Sequence, residues 1–230
     1  MQIQRCHRES YFNVGFMDPT LVNQKNIRDQ PKSTLDVIYK FLEQQNYKQY
    51  ILLPYNFNYH WILLIIMIDQ SNVIVFDSLR KPKDEYQDNQ DMLNFIWKRF
   101  HKYHRGDFKE KLTFCTTFLV CMKFAHFVYS VTRIFHNLFF SLKCLRQEQG
   151  NNLCGYYVCE HIHHFVRDKV LSDHITMWKI CEELLEKERL LAIQEALIGF
   201  LVDVVINLEG EFYYDGHLVV EPSNTTMGGS

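Results

Sequence analysis

The sequence predicts one domain of mixed α and β structure, a central sheet with helices against both faces, and three observations carry that expectation. Residues 61–68 and 73–76 are apolar on both sides of the chain, and 50–53 is a shorter run of the same kind. Strands apolar on both faces need cover on both faces. Asp69-Gln70-Ser71-Asn72 separates the last two runs and reads as a hairpin turn. Two segments with helical spacing supply the cover. Residues 33–45 open on Ser33 or Thr34 as N-cap and place Leu35, Val37, Ile38, Phe41 and Leu42 along one side. Residues 91–104 do the same with Leu93, Ile96, Trp97 and Phe100.

The remaining chain is read around that frame. Residues 1–32 look polar and irregular, with Gly15 and Asp18-Pro19 marking turns. KPKDEYQDNQ, residues 81–90, reads as a solvated loop. Helices are expected over 156–168 and within 174–204, where Glu182, Glu183, Glu186 and Glu188 alternate with Lys187 and Arg189 as a solvated face. One domain over 1–216 and a disordered tail over 217–230 complete the expected organisation.

Composition narrows the function classes. A length of 230 residues favours one domain, and 47% hydrophobic with 23% charged residues is the balance of a globular chain. Lys plus Arg is 25 against 27 Asp plus Glu, so a net charge of -2 gives no electrostatic reason to bind nucleic acid or an anionic membrane. Seven cysteines, an odd number, behind a start without an apolar leader, point to reduced thiols in an intracellular compartment, nucleus or cytoplasm. Residues 113–140 stand apart, Phe-rich, free of Asp and Glu, and without a clean period. Lys123 and Arg133 cut this stretch into pieces well short of the ~18–20 apolar residues that span a bilayer. An insert is expected there, either a disordered loop or an intron read through in the gene.

One cysteine stands in a chemically distinctive place. Cys154 precedes Gly155 and an apolar helical stretch, and follows the polar QEQGNNL. A thiol at a helix N-terminus feels the positive end of the helix dipole, which favours thiolate. Gly155 leaves room for a substrate carbonyl to reach the Cys154 amide, as an acyl-transfer nucleophile with a backbone oxyanion donor requires. His60 begins the strongest strand and Asp77 follows the next one. A hairpin turning at 69–72 returns both to the same end of the sheet, where a carboxylate can orient an imidazole that takes a thiol proton.

His60-Trp61, then Phe76-Asp77-Ser78-Leu79, then Gln147 through Cys154-Gly155-Tyr156-Tyr157 resemble the ubiquitin-like-protein (SUMO-type) cysteine protease family. RQEQGNNLCGYYVCEHI and ILLPYNFNYHWILLIIMIDQSNVIVFDSLRK are similar to its plant transposon-related branch, and the likeness covers about residues 10–110 and 142–216. The resemblance implies an α+β, papain-like fold in permuted order, with a mixed sheet flanked by helices. It implies His60 as general base, Asp77 as its partner, Cys154 as nucleophile and Gln147 as side-chain oxyanion donor. The family's Gln stands six residues before the Cys; Gln147 stands seven before and follows Arg146 as in the plant type, and Gln149, five before, stays open. Trp61 resembles the aromatic lid over a Gly-Gly tail. The family's second aromatic wall is a Trp, for which Phe16 is the nearest substitute here. The implied activity is cleavage after the Gly-Gly tail of a ubiquitin-like modifier or its conjugates, by a monomer without metal or organic cofactor. The alternative is a catalytically silent remnant that only binds such a partner.

Two further clusters are expected to be bland. Cys159, His161, His163 and His164 do not share one helix face, and no second cluster stands at zinc-site spacing. His101 and His104 with Lys98, Arg99, Lys102 and Arg105 read as a solvated helix face.

Overall fold

The computed structural model describes residues 1–116, 118–119, 141–142, 144–170 and 184–213. Most of the Phe-rich segment, the region 171–183 and the expected tail over 217–230 lie outside the described residues. The chain divides into two compact units, Met1–Leu190 and Leu191–Ser230.

The first unit is built on a five-stranded mixed sheet in the order β1-β2-β3-β4-β5. These strands are Val14–Phe16, Tyr50–Phe57, His60–Met67, Asn72–Phe76 and Thr113–Cys115. β2, β3 and β4 form an antiparallel meander, with β1 parallel to β2 and β5 parallel to β4 at the edges. The α+β architecture expected from the sequence is present. On one face α3 (Pro31–Gln44) and α4 (Gln87–Tyr103) bury Ile38, Leu42, Leu93, Ile96, Trp97 and Phe100 against Leu53, Ile62 and Leu64. On the other, α5 (Cys154–Arg167) buries Tyr157, Val158 and Phe165 against Leu52, Leu63 and Ile65. The alternation of strand residues between the two cores is the period of two written into an all-apolar strand.

Several elements depart from the sequence expectation. The opening 32 residues carry α1 (Gln2–Arg8), β1 and α2 (Gln24–Asp29). Each is too short for a periodic signal, and each is held by specific contacts. Arg5 pairs with Glu9 in α1, and the Asn23 side chain caps the Asn26 amide of α2. The start of α3 is marked by Pro31 at its first turn rather than by Ser33 or Thr34. The expected loop over 81–90 contains a 3-10 turn (Lys83–Tyr86), and α4 begins at Gln87. Thr113–Cys115 belongs to the sheet, and Phe118–Leu119 (β6) pairs with Ser141–Leu142 (β7), so the Phe-rich segment begins in paired strand and is followed by one.

The connection from β2 to β3 is a tight one. β2 runs to Phe57, and Asn58-Tyr59 alone turn the chain into His60, both with left-handed backbone at φ 48 and 61. Such two-residue turns favour Asn-Gly. Tyr59 holds this conformation with a ring that is 99% exposed, so little packing offsets the strain. Tyr59→Gly is expected to raise stability by about 0.5–1 kcal/mol, strain relief less the added chain entropy, read as a higher urea midpoint at unchanged slope.

The charged face expected near Arg189 has a structural role. α6 (Lys187–Phe200) starts with Arg189 donating twice to the buried Glu160 carboxylate of α5, at 2.7 Å each, while His164 donates to Glu160 at 2.7 Å. These contacts hold the Glu160 carboxyl down at about 2 against the opposing effect of burial. The second unit contains the rest of α6, a π-helical turn (Leu201–Ile206) and a close approach of Gly210 to the Val204 carbonyl.

Candidate active site

The end of the sheet where β2 turns into β3 gathers the residues singled out above. His60 opens β3 opposite Phe57, and Asp77 follows the last residue of β4. The ring of His60 lies edge-on to Phe57 with centroids 5.8 Å apart, and His60 Nε2 is 2.6 Å from Asp77 Oδ1. A carboxylate only accepts, so Nε2 carries the proton and Nδ1 is left for the Cys154 sulfur, to which the ring is also hydrogen-bonded. Cys154 is the first residue of α5, and its sulfur accepts from the Trp61 amide at 3.4 Å and from the Gly155 amide. The three side chains are buried and converge in one chain of contacts.

Their electrostatics follow from that chain. Burial pushes the Asp77 carboxyl up, but donors from His60 and Tyr86 and the Lys81 amide outweigh it and hold it below the usual carboxylate range. The Leu79 amide donates to Oδ1 at 2.8 Å, the Lys81 amide to Oδ2 at 3.0 Å, and the Tyr86 hydroxyl also to Oδ2. Burial lowers His60, yet hydrogen bonds with Asp77 and Cys154 raise it to about 9. Burial raises the Cys154 thiol, and the bonds from His60 and the Trp61 amide bring it below an ordinary thiol. Sulfur and imidazole thus favour the thiolate–imidazolium pair. At Cys6, Cys144 and Cys159 burial outweighs the cations and backbone groups that act against it, and these thiols are raised.

The remaining expected residues fall around this centre. Gln147 is buried, its amide N–H donating to the Ser78 carbonyl at 2.9 Å and its Oε1 accepting from the Ser78 hydroxyl at 2.9 Å. Because Ser78 follows Asp77, this anchors Gln147 close to Asp77, whereas Gln149 is exposed in a turn. Trp61 is half-buried against the α5 side of the sheet, and a Cβ on Gly155 would stand 3.8 Å from Trp61 Cδ1. Phe16 is half-buried on the same face of the sheet as Trp61, across β2.

Sequence reasoning missed Tyr86, Ser78 and Asn151. The lone aromatic in KPKDEYQDNQ was the available signal for Tyr86. Ser78 and Asn151 are small polar residues without any periodic signature. Of the histidine cluster, His161 packs on Phe76 with centroids 5.2 Å apart and His164 turns to Glu160, and no group of three or more metal-ligating side chains converges among the described residues. The basic face of α4 is partly occupied, since Arg99 pairs with Asp36 and lies 3.9 Å over the Tyr39 ring. Among the described residues no helix is long and apolar enough to cross a membrane.

Comparison with known proteins gives this geometry a family. Residues 3–120 match the Ulp1 protease family, C-terminal catalytic domain, a stretch that holds His60, Trp61 and Asp77. The chain belongs to the Ulp1 protease family. Cys154 lies beyond the matched residues. A structure described as SUMO protease Ulp1 with the catalytic cysteine oxidized to a sulfonic acid superposes with a TM-score of 0.50 at 16% identity, covering 84% of this chain and 72% of that one. A second, a de-sumoylating protease, gives 0.51 at 18% identity over 87% of this chain and 79% of that one. Both similarities are of fold. No curated protein matches the sequence. Membership in the Ulp1 family makes the chain a cysteine protease by class.

Proposed function

We propose that this chain hydrolyses a peptide or isopeptide bond after the Gly-Gly tail of a SUMO-type modifier, with Cys154 as nucleophile, His60 as general base and acid, and Asp77 as its orienting partner. The observation that carries the reading is the continuous hydrogen-bond chain from Asp77 through His60 to a Cys154 sulfur set at a helix N-terminus. The thiolate attacks the scissile carbonyl, and the negative oxygen is held by the Cys154 amide, unpaired by position at the helix start, and by Gln147. His60 gives its proton to the leaving amine, then takes one from the water that releases the acyl group. Trp61 beside Gly155, with Phe16 on the same face, supports a slot that suits residues without side chains. The names of the two structural neighbours support a SUMO-type modifier as partner, and a free thiolate nucleophile suits the reducing nucleus or cytoplasm.

The test is labelling with a SUMO-type modifier whose C-terminal Gly-Gly carries a vinyl sulfone. A one-to-one adduct at Cys154, located by mass spectrometry, is expected, together with cleavage of the modifier's precursor. Cys154 that reacts with iodoacetamide but neither with the modifier probe nor in precursor cleavage would overturn the reading in favour of a silent remnant.

A further inference from the structure

We infer that Asn151 is a positioning residue that caps the oxyanion donor in the resting site, so that the reaction's oxyanion takes over an N–H of Gln147 now given to Asn151. The inference rests on the proposed role of Gln147. A glutamine amide has two N–H donors, and both are engaged: Gln147 Nε2 is 2.7 Å from the Asn151 carbonyl oxygen and 2.6 Å from Asn151 Oδ1. The assignment of nitrogen and oxygen is firm, because a backbone carbonyl only accepts and so faces Nε2. Ser78 holds the other side of the amide through its hydroxyl, and its carbonyl holds the Gln147 backbone. With Gln147 only 2% exposed, the amide cannot turn to a third acceptor without breaking this clamp.

Of the two acceptors, Oδ1 is the replaceable one. The Asn151 carbonyl is fixed by the chain as it enters α5, whereas the carboxamide is half-buried at the edge and has one other contact, the Leu153 amide at 3.4 Å. Its neighbour Gly150 has φ +88, a backbone open to glycine, with nothing within 4 Å of where a Cβ would stand. A substrate's neutral carbonyl is no better an acceptor than Asn151 Oδ1, so the cap holds in the Michaelis complex. A tetrahedral oxyanion accepts roughly twice as strongly and displaces it. The cap thereby reserves the Gln147 donor for the charge that develops in the transition state, while setting a fixed cost for its release.

Removing Oδ1 removes that cost. Asn151→Ala is expected to raise kcat for a Gly-Gly fluorogenic ester by about two- to tenfold, the factor of one neutral hydrogen bond. Asn151→Asp binds the same N–H more tightly and opposes the oxyanion's charge, so kcat is expected to fall tenfold or more. The gain requires the donor, and in a Gln147→Ala background Asn151→Ala should change kcat by less than about twofold, as expected when two residues act as one unit, whereas the part of the Asn151→Asp loss that comes from charge opposing the oxyanion persists there. A second readout uses unaltered protein: binding of an acetyl-Gly-glycinal hemithioacetal should shift one of the two Gln147 side-chain amide protons by NMR and leave the other. A kcat for folded Asn151→Ala at or below that of the parent, or a gain that persists without Gln147, overturns the cap. If Gln147→Ala alone retains the parent kcat, the proposed role of Gln147 fails instead, and the cap falls with it.

Discussion

Cys154→Ala is expected to abolish the proposed cleavage of a Gly-Gly precursor, and His60→Ala to slow it by about three to four orders of magnitude at neutral pH. The first removes the bond-forming atom. The second leaves the sulfur in place and takes away three things at once: the charge that favours thiolate, the proton for the leaving amine and the base for deacylation. The pH profile separates these contributions. In the parent, the acid limb marks protonation of a thiolate whose pKa lies below the ordinary thiol range, and the alkaline limb marks loss of the His60 proton near 9. Cys154 alkylation by iodoacetamide should therefore set in at lower pH in the parent than for an ordinary thiol. In His60→Ala the sulfur keeps only the Trp61 and Gly155 amides, so its pKa rises and alkylation shifts to alkaline pH. Equal alkylation profiles for the two proteins would show that His60 does not share a proton with Cys154.

Much of this site was legible in the sequence because it sits on elements with strong patterns. Residues 60–68 and 73–76 are apolar at nearly every position, so the strands and the turn between them followed from composition, and with them the return of His60 and Asp77 to one edge. The thiol at a helix start was legible only in company, since a lone cysteine there reads as readily as a buried structural thiol, and its pairing with His60 and Asp77 gave it chemistry. What escaped was everything fixed by one side chain rather than by a repeating pattern. β1 is three residues long and exists because β2 offers it a parallel edge. Tyr86 lies in a charged decapeptide and is drawn inside by one carboxylate and the ring of Phe57, 6.1 Å away. Arg189 looked like part of a solvated face, yet Glu160 is 2% exposed and would be a buried, half-paired charge without it. Tertiary contacts of this kind have no local signature, and at Tyr86 they define the second layer around His60 and Asp77.

That second layer makes Asp77 the position where catalysis and stability are lost together. Its carboxylate accepts from His60, the Leu79 and Lys81 amides and the Tyr86 hydroxyl, four donors in a site 4% exposed. Asp77→Ala leaves those donors without their acceptor and is expected to destabilise the protein by about 3–5 kcal/mol, the range for breaking a buried charge pair. Linkage gives the same loss a pH signature. Because the Asp77 carboxyl is lowered, its contribution is present above its ordinary value of 3.8 and disappears as pH falls through the folded value. Because His60 is raised, its contribution is full below 6.5 and disappears as pH rises through about 9. The gap in urea midpoint between parent and Asp77→Ala should therefore be widest between those limits and shrink on both sides. Asp77→Asn tests orientation at nearly constant shape. One amide oxygen can still accept from His60 Nε2, but the amide nitrogen then faces the Lys81 N–H, donor against donor; the flipped amide instead forces the wrong imidazole tautomer. Loss of kcat by about two to four orders of magnitude is expected, with the alkaline limb moving down from 9 as His60 loses its carboxylate. Tyr86→Phe removes one donor and leaves the His60 contact intact, so it should cost about 1 kcal/mol of stability and little kcat. If Asp77→Asn kept the parent's kcat and alkaline limb, the carboxylate would be a structural acceptor for the 79–86 turn and not the partner of the imidazole.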